Sequence, residues 1–381
     1  MIHLDSNKNI LGDLTHQEFL NEYWQQKPLL IRQAFKDSLP NISPEELAGI
    51  ACDTDAPSRI VIEQGETPWQ SLFGPFDDNT FATLPESHWT LLVNDLERYL
   101  PELRDIIKQF KFIPDWRIDD LMMSYAVEQG SVGPHTDEYD VFLIQTSGKR
   151  HWKLDTRENY QKDIFPDCSL SILKHFNTSI DWVLEPGDML YLPPNLPHYG
   201  IAQDNNCMTL SVGFRAPSQQ ELINDWIESI TENAEYKRRY SDKHRKIQKK
   251  SAEITQHDIV ILSNMIMEGI VSQKDTLPLW LGKYLTETKG EAVGEQFVSR
   301  KISNDTNFHR ASWLRLAYIK NEHGLDFFAD GDHFQIENSA KEGIFYLCDN
   351  YTYSKSKIIR FCQVDSFKAI FESLKSKGAI I

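Results

Sequence analysis

The sequence predicts a mainly β protein, an antiparallel sandwich or barrel followed by a helical segment and a small α+β tail. Three observations carry that expectation. Between about residues 59 and 214 the chain breaks into short apolar or alternating runs punctuated by Gly, Pro, Asn and Asp, the pattern of antiparallel strands rather than of βαβ units. After Pro217 the hydrophobic period lengthens to helical spacing. Neither G-x-G-x-x-G nor G-x-x-x-x-G-K-[ST] occurs, so the two common phosphate-cradling loops are not indicated.

Each element has a local reason. Thr15 with Glu18 three residues later reads as a capping box, and Phe19, Tyr23 and Trp24 continue that helix. Pro28 then forces extended chain into Leu29-Leu30-Ile31. Ser43 caps a second short helix over 44–53. Strands are expected at 59–63, 89–93, 122–127, 139–145, 149–154, 182–184, 188–192 and 207–214, with 95–110 as a helical exception. Leu222, Trp226 and Ile230 recur at a spacing of four in a helix over 218–240. A further helix over 255–272 has Ile259, Leu262, Ile266 and Ile270 as its apolar stripe. In the tail, 332–336 and 357–362 read as strands, and 366–376 reads as a helix with Phe367, Ile370, Phe371 and Leu374 inward. The expected divisions are 1–215, with a β core at about 89–215, a helical linker over 216–275, and a small α+β domain over 276–381.

The chain has 381 residues, too many for one ordinary core. Hydrophobic residues make up 40% and charged residues 25%, a globular composition. The formal charge of −16 argues against wrapping of nucleic acid by the molecule as a whole, while leaving a local basic patch open. Five widely spaced cysteines, Cys52, Cys168, Cys207, Cys348 and Cys362, with no CxxC argue against a disulfide framework or a structural zinc site. The opening Met-Ile-His-Leu-Asp-Ser lacks a basic region followed by an apolar one, and no apolar stretch is long enough to span a membrane; a cytoplasmic protein is expected.

The informative segment runs from Gly130 to Ile144 and contains His135-Thr-Asp137. In a strand, residues i and i+2 share a face, so this imidazole and carboxylate can point together into a barrel. A third ligand is expected from a distant strand, and His198 at the end of the Glu185–His198 segment is the candidate. Two histidines and one carboxylate leave open metal positions, a pattern that favours non-haem Fe(II) oxygen chemistry over zinc or another redox-inert ion. Such an iron needs a two-electron co-substrate. If that is 2-oxoglutarate, its distal carboxylate needs a cation, and Arg150 sits on the inward face with Trp152 and Leu154 after the turn at Ser147-Gly148. Ser124, Tyr139 and Ser211 are candidate hydroxyl supports.

These residues resemble the JmjC group of 2-oxoglutarate oxygenases, in its ribosomal-oxygenase branch. The resemblance lies in 132–142 (V-G-P-H-x-D-x-Y-D-V-F), 148–152 (G-x-R-x-W), 186–194 (P-G-D-M-L-Y-L-P-P), Lys27-Pro28 and 116–124. It covers 15–215 strongly and the rest in layout. It implies a double-stranded β-helix (jelly-roll, cupin-like), a helical dimerisation region and a winged-helix-like C-terminal domain. It also implies Fe(II) held by His135, Asp137 and His198, 2-oxoglutarate anchored by Arg150, O2 consumption, and a homodimer. The implied reaction is hydroxylation of an arginine β-carbon in a basic ribosomal protein of the large subunit, with release of succinate and CO2. One departure is Ala126 where the family's co-substrate serine is expected, with Ser124 two residues earlier on the same face.

A guanidinium substrate needs carboxylates near the iron, and Asp120, Glu128 and Glu138 are the candidates, beside Asp119. The same chemistry on a histidine or another residue, or a non-catalytic metal-binding cupin scaffold, are the alternatives. A nucleic-acid-binding regulator is the weakest reading. The eight Lys or Arg and one Asp of 237–250 contribute +7, so the rest of the chain carries −23. On a helix that run could approach RNA, or it could complement acids of this chain or of a dimer mate, the reading favoured here.

Overall fold

The computed structural model describes residues 9–36, 39–64, 67–157, 160, 162–166, 168, 170–232, 238–288 and 307–381. Two compact units emerge. The first comprises 1–216, 288–314 and 342–381; the second comprises 217–287 and 315–341.

The first unit opens with α1 (His16–Glu22), capped reciprocally by Thr15 and Glu18, then β1 (Leu29–Ile31) and α2 (Pro44–Asp53), capped in the same way by Ser43 and Glu46. Next come β2 (Ser58–Gln64), β3 (Thr67–Phe73), α3 (Asp78–Ala82) and β4 (Trp89–Val93). The stretch 95–110, expected to be helical, is instead a chain of tight turns around the single turn α4 (Arg104–Ile107). Pro101 cannot donate a helical hydrogen bond, which restarts the chain at that point.

Seven strands follow: β5 (Ile118–Ala126), β6 (Asp140–Ser147), β7 (Arg150–Leu154), β8 (Ile180–Leu184), β9 (Met189–Leu192), β10 (His198–Ala202) and β11 (Cys207–Phe214). An eight-stranded sheet has the order β1-β9-β6-β11-β5-β4-β2-β3, and a three-stranded sheet has the order β10-β7-β8; all pairings are antiparallel. This is a double-stranded β-helix, as expected. Alternation sorts its two faces. Phe142, Ile144, Tyr191, Leu210 and Val212 join Phe19, Leu47 and Phe110 in an outer core. Their neighbours Val141, Leu143, Leu190 and Leu192 turn inward onto Trp152, Leu154 and Leu184 of the small sheet. The functional side chains stand on that inner face.

The second unit holds α5 (Gln219–Thr231), α6 (Gln256–Ser272) and α7 (Leu277–Thr286). The expected 218–240 helix ends at Thr231; 233–237 lie outside the described residues, and 238–250 contains turns and irregular chain but no helix. On α6 the expected apolar stripe is not buried in the monomer: Ile259, Leu262 and Ile266 are exposed. Back in the first unit is β12 (Phe308–His309), and the second unit completes itself with the meander β13 (Leu316–Lys320), β14 (Gly324–Ala329) and β15 (Asp332–Glu337).

The first unit ends with α8 (Lys341–Asp349), β16 (Thr352–Tyr353) paired to β12, α9 (Lys355–Phe361) and α10 (Asp365–Ser376). Phe367, Ile370, Phe371 and Leu374 are all buried on α10, as expected. The expected strand at 357–362 is helical. Its alternation was too short to separate the two periods, and only Ile358 turns inward while Ile359 is exposed. Among the described residues no helix is long and apolar enough to cross a membrane.

Candidate metal centre

His135 and His198 face each other across one isolated antiparallel bridge, each backbone N–H donating to the other's carbonyl at 3.0 Å. His135 therefore lies not in a continuous strand but in a loop pinned at a single pair, just before β6. Neighbouring bonds fix the same loop: Asn195 N–H donates to the Asp137 carbonyl and Leu173 N–H to that of Pro134. The i, i+2 relation survives, and His135, Asp137 and His198 bring one ligand atom each within 4.8 Å of one another.

The rings are oriented for ligation. His135 Nδ1 lies 2.9 Å from the Gly133 carbonyl and His198 Nδ1 lies 2.9 Å from that of Leu196. A carbonyl only accepts, so each Nδ1 carries the proton and each Nε2 keeps its lone pair. Burial, followed by the adjacent His135 imidazole, pushes His198 down to about 4, so it is neutral at pH 7. The two Nε2 atoms lie 3.8 and 3.5 Å from the Asp137 carboxylate, beyond good hydrogen-bond geometry and suited to sharing one cation.

Register extends the site along the inner face. On β7 and β10, Leu154 pairs with His198, Trp152 with Gly200 and Arg150 with Ala202. Directly opposed residues share a face, so Trp152 lies between the histidine and the arginine. Its ring centroid is 5.8 Å from that of His198, and the Arg150 guanidinium carbon is 5.8 Å from the same indole. Gly200 makes this possible, because a Cβ there would fall 2.7 Å from the indole carbons.

Arg150 is 5% exposed. Its Nη1 donates to Ser124 Oγ and its Nε to Cys207 Sγ, each at 3.4 Å, while Nη2 is buried with no protein partner. Thr90 Oγ1, Thr136 Oγ1 and Trp152 Nε1 are likewise buried without one. A buried cation with an unused donor fits a carboxylate ligand. Ser211, 5% exposed, stands opposite Met122 and Leu143 on the same face.

The acidic side of the site is partly as expected. Asp120 accepts from Asn94 Nδ2 at 2.9 Å, and Gly213 leaves the space that the Asp120 carboxylate and the Tyr139 ring occupy. Tyr139 is 42% exposed, and its hydroxyl is pushed above the usual phenol range by partial loss of solvent around it, then by the Asp137 and Asp120 carboxylates. Asp119 pairs with Arg215 at 3.2 Å. Glu128 is exposed, and Glu138 is an exposed side chain 3.5 Å from Lys162; neither is brought to the triad by any contact among the described residues.

Sequence reasoning missed Cys207, Gln145 and Asn94. Gln145 Nε2 donates to Cys207 Sγ at 3.5 Å and its Oε1 accepts from Thr209 at 3.0 Å. A register shift between Met208 and Thr209 sets that arrangement, and nothing local in the sequence marks it.

Comparison with known proteins places this geometry. A JmjC domain model matches residues 105–222. The chain is 36% identical over 278 residues to the ribosomal protein uL16 3-hydroxylase of Escherichia coli, covering 73% of each chain. It is 39% identical over 211 residues to a probable ribosomal oxygenase of Haemophilus influenzae, covering 55% of this chain and 52% of that one. The solved structure of the E. coli ribosomal oxygenase YcfD with cobalt and 2-oxoglutarate superposes with a TM-score of 0.76 at 29% identity, covering 97% of this chain and 98% of that one.

Proposed function

The chain belongs to the JmjC ribosomal oxygenases, 2-oxoglutarate-dependent enzymes that use Fe(II) and O2, and on that premise we propose that it hydroxylates the β-carbon of an arginine in a basic large-subunit ribosomal protein. The observation that carries the reading is the line of inner-face residues from the His135–Asp137–His198 cluster through Trp152 to the buried, part-unpaired Arg150. A bare metal-binding scaffold has no use for such a cation.

Fe(II) with 2-oxoglutarate and O2 supplies a two-electron oxidation that inserts one oxygen atom into a C–H bond and releases succinate and CO2. The chain's part is to hold and orient. His135 and His198 present Nε2 lone pairs fixed by their Nδ1–H bonds, and Asp137 supplies the third ligand and a negative charge. Arg150, steadied by Ser124 and Cys207, offers its free donor to the distal carboxylate of the co-substrate. Trp152 and the inward Val141, Leu143, Leu190 and Leu192 keep that space dry, which strengthens the ion pair. Asp120 and the Tyr139 hydroxyl offer acceptors to a guanidinium, and Asp119 reinforces their negative field.

Ile223 and Ile227 of α5 and Ile259, Val260, Ile266 and Met267 of α6 are exposed apolar residues, and we assign them to a homodimer through the 216–275 segment. Residues 1–215 form the catalytic part; of 276–381, the segments 288–314 and 342–381 group with it and 315–341 with the helical segment, and both are assigned accessory roles. The net charge of −16 suits a basic substrate in the cytoplasm.

The test is aerobic incubation of the Fe(II)-loaded protein with 2-oxoglutarate and arginine-containing peptides spanning uL16, read by tandem mass spectrometry. A +16 Da shift on one arginine, matched by succinate, is expected. A shift on histidine, or none with any peptide, overturns the arginine assignment.

A further inference from the structure

The basic run of 237–250 is not used by the oxygenase site. Among its described residues, two cations are neutralised inside the second unit. Arg238 pairs with Glu268 at 2.9 Å, and Arg245 bridges Asp242 and Asp258 at 3.2 and 2.8 Å. Asp258 is held well below the usual carboxylate range by hydrogen bonds from Thr255, Arg245 and Tyr240. The nearby acids Asp242, Asp258 and Glu268 are therefore already engaged.

Arg239, Lys243, Lys246, Lys249 and Lys250 are all exposed, and none has an ion-pair partner among the described residues. Five unneutralised cations within twelve residues repel one another, and nothing in the fold of this unit requires them. Two of them, Lys243 and Lys246, line a cavity of ≈ 410 Å³ together with Tyr240, Arg245, His257 and Asp258, and the other three lie close to it in sequence. The Arg245–Asp258–Tyr240 network forms a fixed part of its wall, and the free lysines add positive charge to it and around it. The arrangement is a basic exposed segment beside a concavity, on a chain that otherwise carries −23.

We propose that this surface binds the phosphate backbone of RNA. The choice of RNA over other polyanions rests on the function proposed above, because a ribosomal-protein substrate is met in an RNA-rich particle. Phosphate contacts hold without reading sequence, so the surface serves as a tether. Charge complement within the chain accounts for Arg238 and Arg245, and the five remaining cations have no ion-pair partner among the described residues.

The probe is a fluorescein-labelled 20-nucleotide oligouridylate, titrated with the full-length protein and read by anisotropy. Five phosphate contacts on a single strand give a slope of log K against log salt of about −3.5, a loss of about 100-fold between 50 and 200 mM salt. The variant with Lys243, Lys246, Lys249 and Lys250 all changed to Gln should bind at least 10-fold more weakly at 50 mM salt with a slope near −0.7. Its peptide-dependent succinate release should be unchanged, showing that it folds. No binding by the wild type at 50 mM salt, a flat salt dependence, or a variant that binds like the wild type would overturn the proposal. So would a variant that changes only oligomeric state in light scattering, which assigns the patch to a second copy. Salt-dependent RNA binding by a protein that releases no succinate with any peptide would sink the oxygenase reading while leaving this one standing.

Discussion

Replacing Arg150 by glutamine separates the co-substrate anchor from the metal site. The guanidinium is 5% exposed, its two protein contacts are long at 3.4 Å, and Nη2 has no protein partner. Without a bound anion the wild type carries the penalty of a poorly paired buried charge. With a carboxylate present it gains charge-assisted bonds of about 1.5–3 kcal/mol. Arg150→Gln should therefore weaken 2-oxoglutarate by about 10- to 150-fold, since 1.4 kcal/mol is a factor of ten. It should leave divalent-ion affinity within about 3-fold, and the ligand-free variant should be at least as stable as the wild type.

The assay is anaerobic calorimetry with Mn(II) and 2-oxoglutarate, paired with thermal melts. At 100 times its Kd, the co-substrate stabilises the wild type by about 2.7 kcal/mol, and the same concentration should do far less for the variant. If Arg150→Gln bound 2-oxoglutarate within 3-fold of the wild type, the anchor assignment would be refuted. A large loss of stability without ligand would refute the claim that Arg150 is under-paired.

Three further outcomes follow from single contacts. Gly200→Ala places a methyl 2.7 Å from the Trp152 ring, so a loss of about 1–3 kcal/mol in urea unfolding with a raised KM for 2-oxoglutarate is expected; unchanged values would mean the indole is free to move. Asp120→Asn should raise the KM for an arginine peptide about 10-fold, the low end for a charge-assisted pair, while peptide-free 2-oxoglutarate turnover stays constant; equal effects on both would place Asp120 away from substrate. Asp188 is buried, and although burial opposes its ionisation, N–H donors of Glu185 and Gln33 and the Arg32 guanidinium hold it below the usual range. That stabilisation is present above the unfolded value of about 3.9 and is lost as pH falls through the folded one, so Asp188→Asn should cost about 2 kcal/mol at pH 7 and progressively less in acid. A pH-independent difference between the two proteins would contradict it.

Much of the site was legible because its residues obey local rules. His135 and Asp137 share a face by their spacing, and the alternation of Arg150, Trp152 and Leu154 against Lys149 and Lys153 sets the phase of β7. The capping box at Thr15–Glu18 and the Ser43 cap marked the helix starts. What escaped depends on partners far along the chain. Cys207 meets Arg150 only where the eight-stranded sheet faces the three-stranded one, and Asn94 meets Asp120 through the β4–β5 pairing. The apolar stripe of α6 signalled a helix correctly, but periodicity does not say what covers a face, and within one chain Ile259, Leu262 and Ile266 stay exposed. At 357–362 two adjacent isoleucines fitted a strand as well as a helix, and the packing of Ile358 decided for the helix.

The most direct test is a crystal structure with Mn(II) and 2-oxoglutarate bound anaerobically. The predicted result is one ion held by His135 Nε2, His198 Nε2 and an Asp137 oxygen, with the distal carboxylate of 2-oxoglutarate on the Arg150 guanidinium. An ion bound through other residues, or a co-substrate whose distal carboxylate lies away from Arg150, would contradict it.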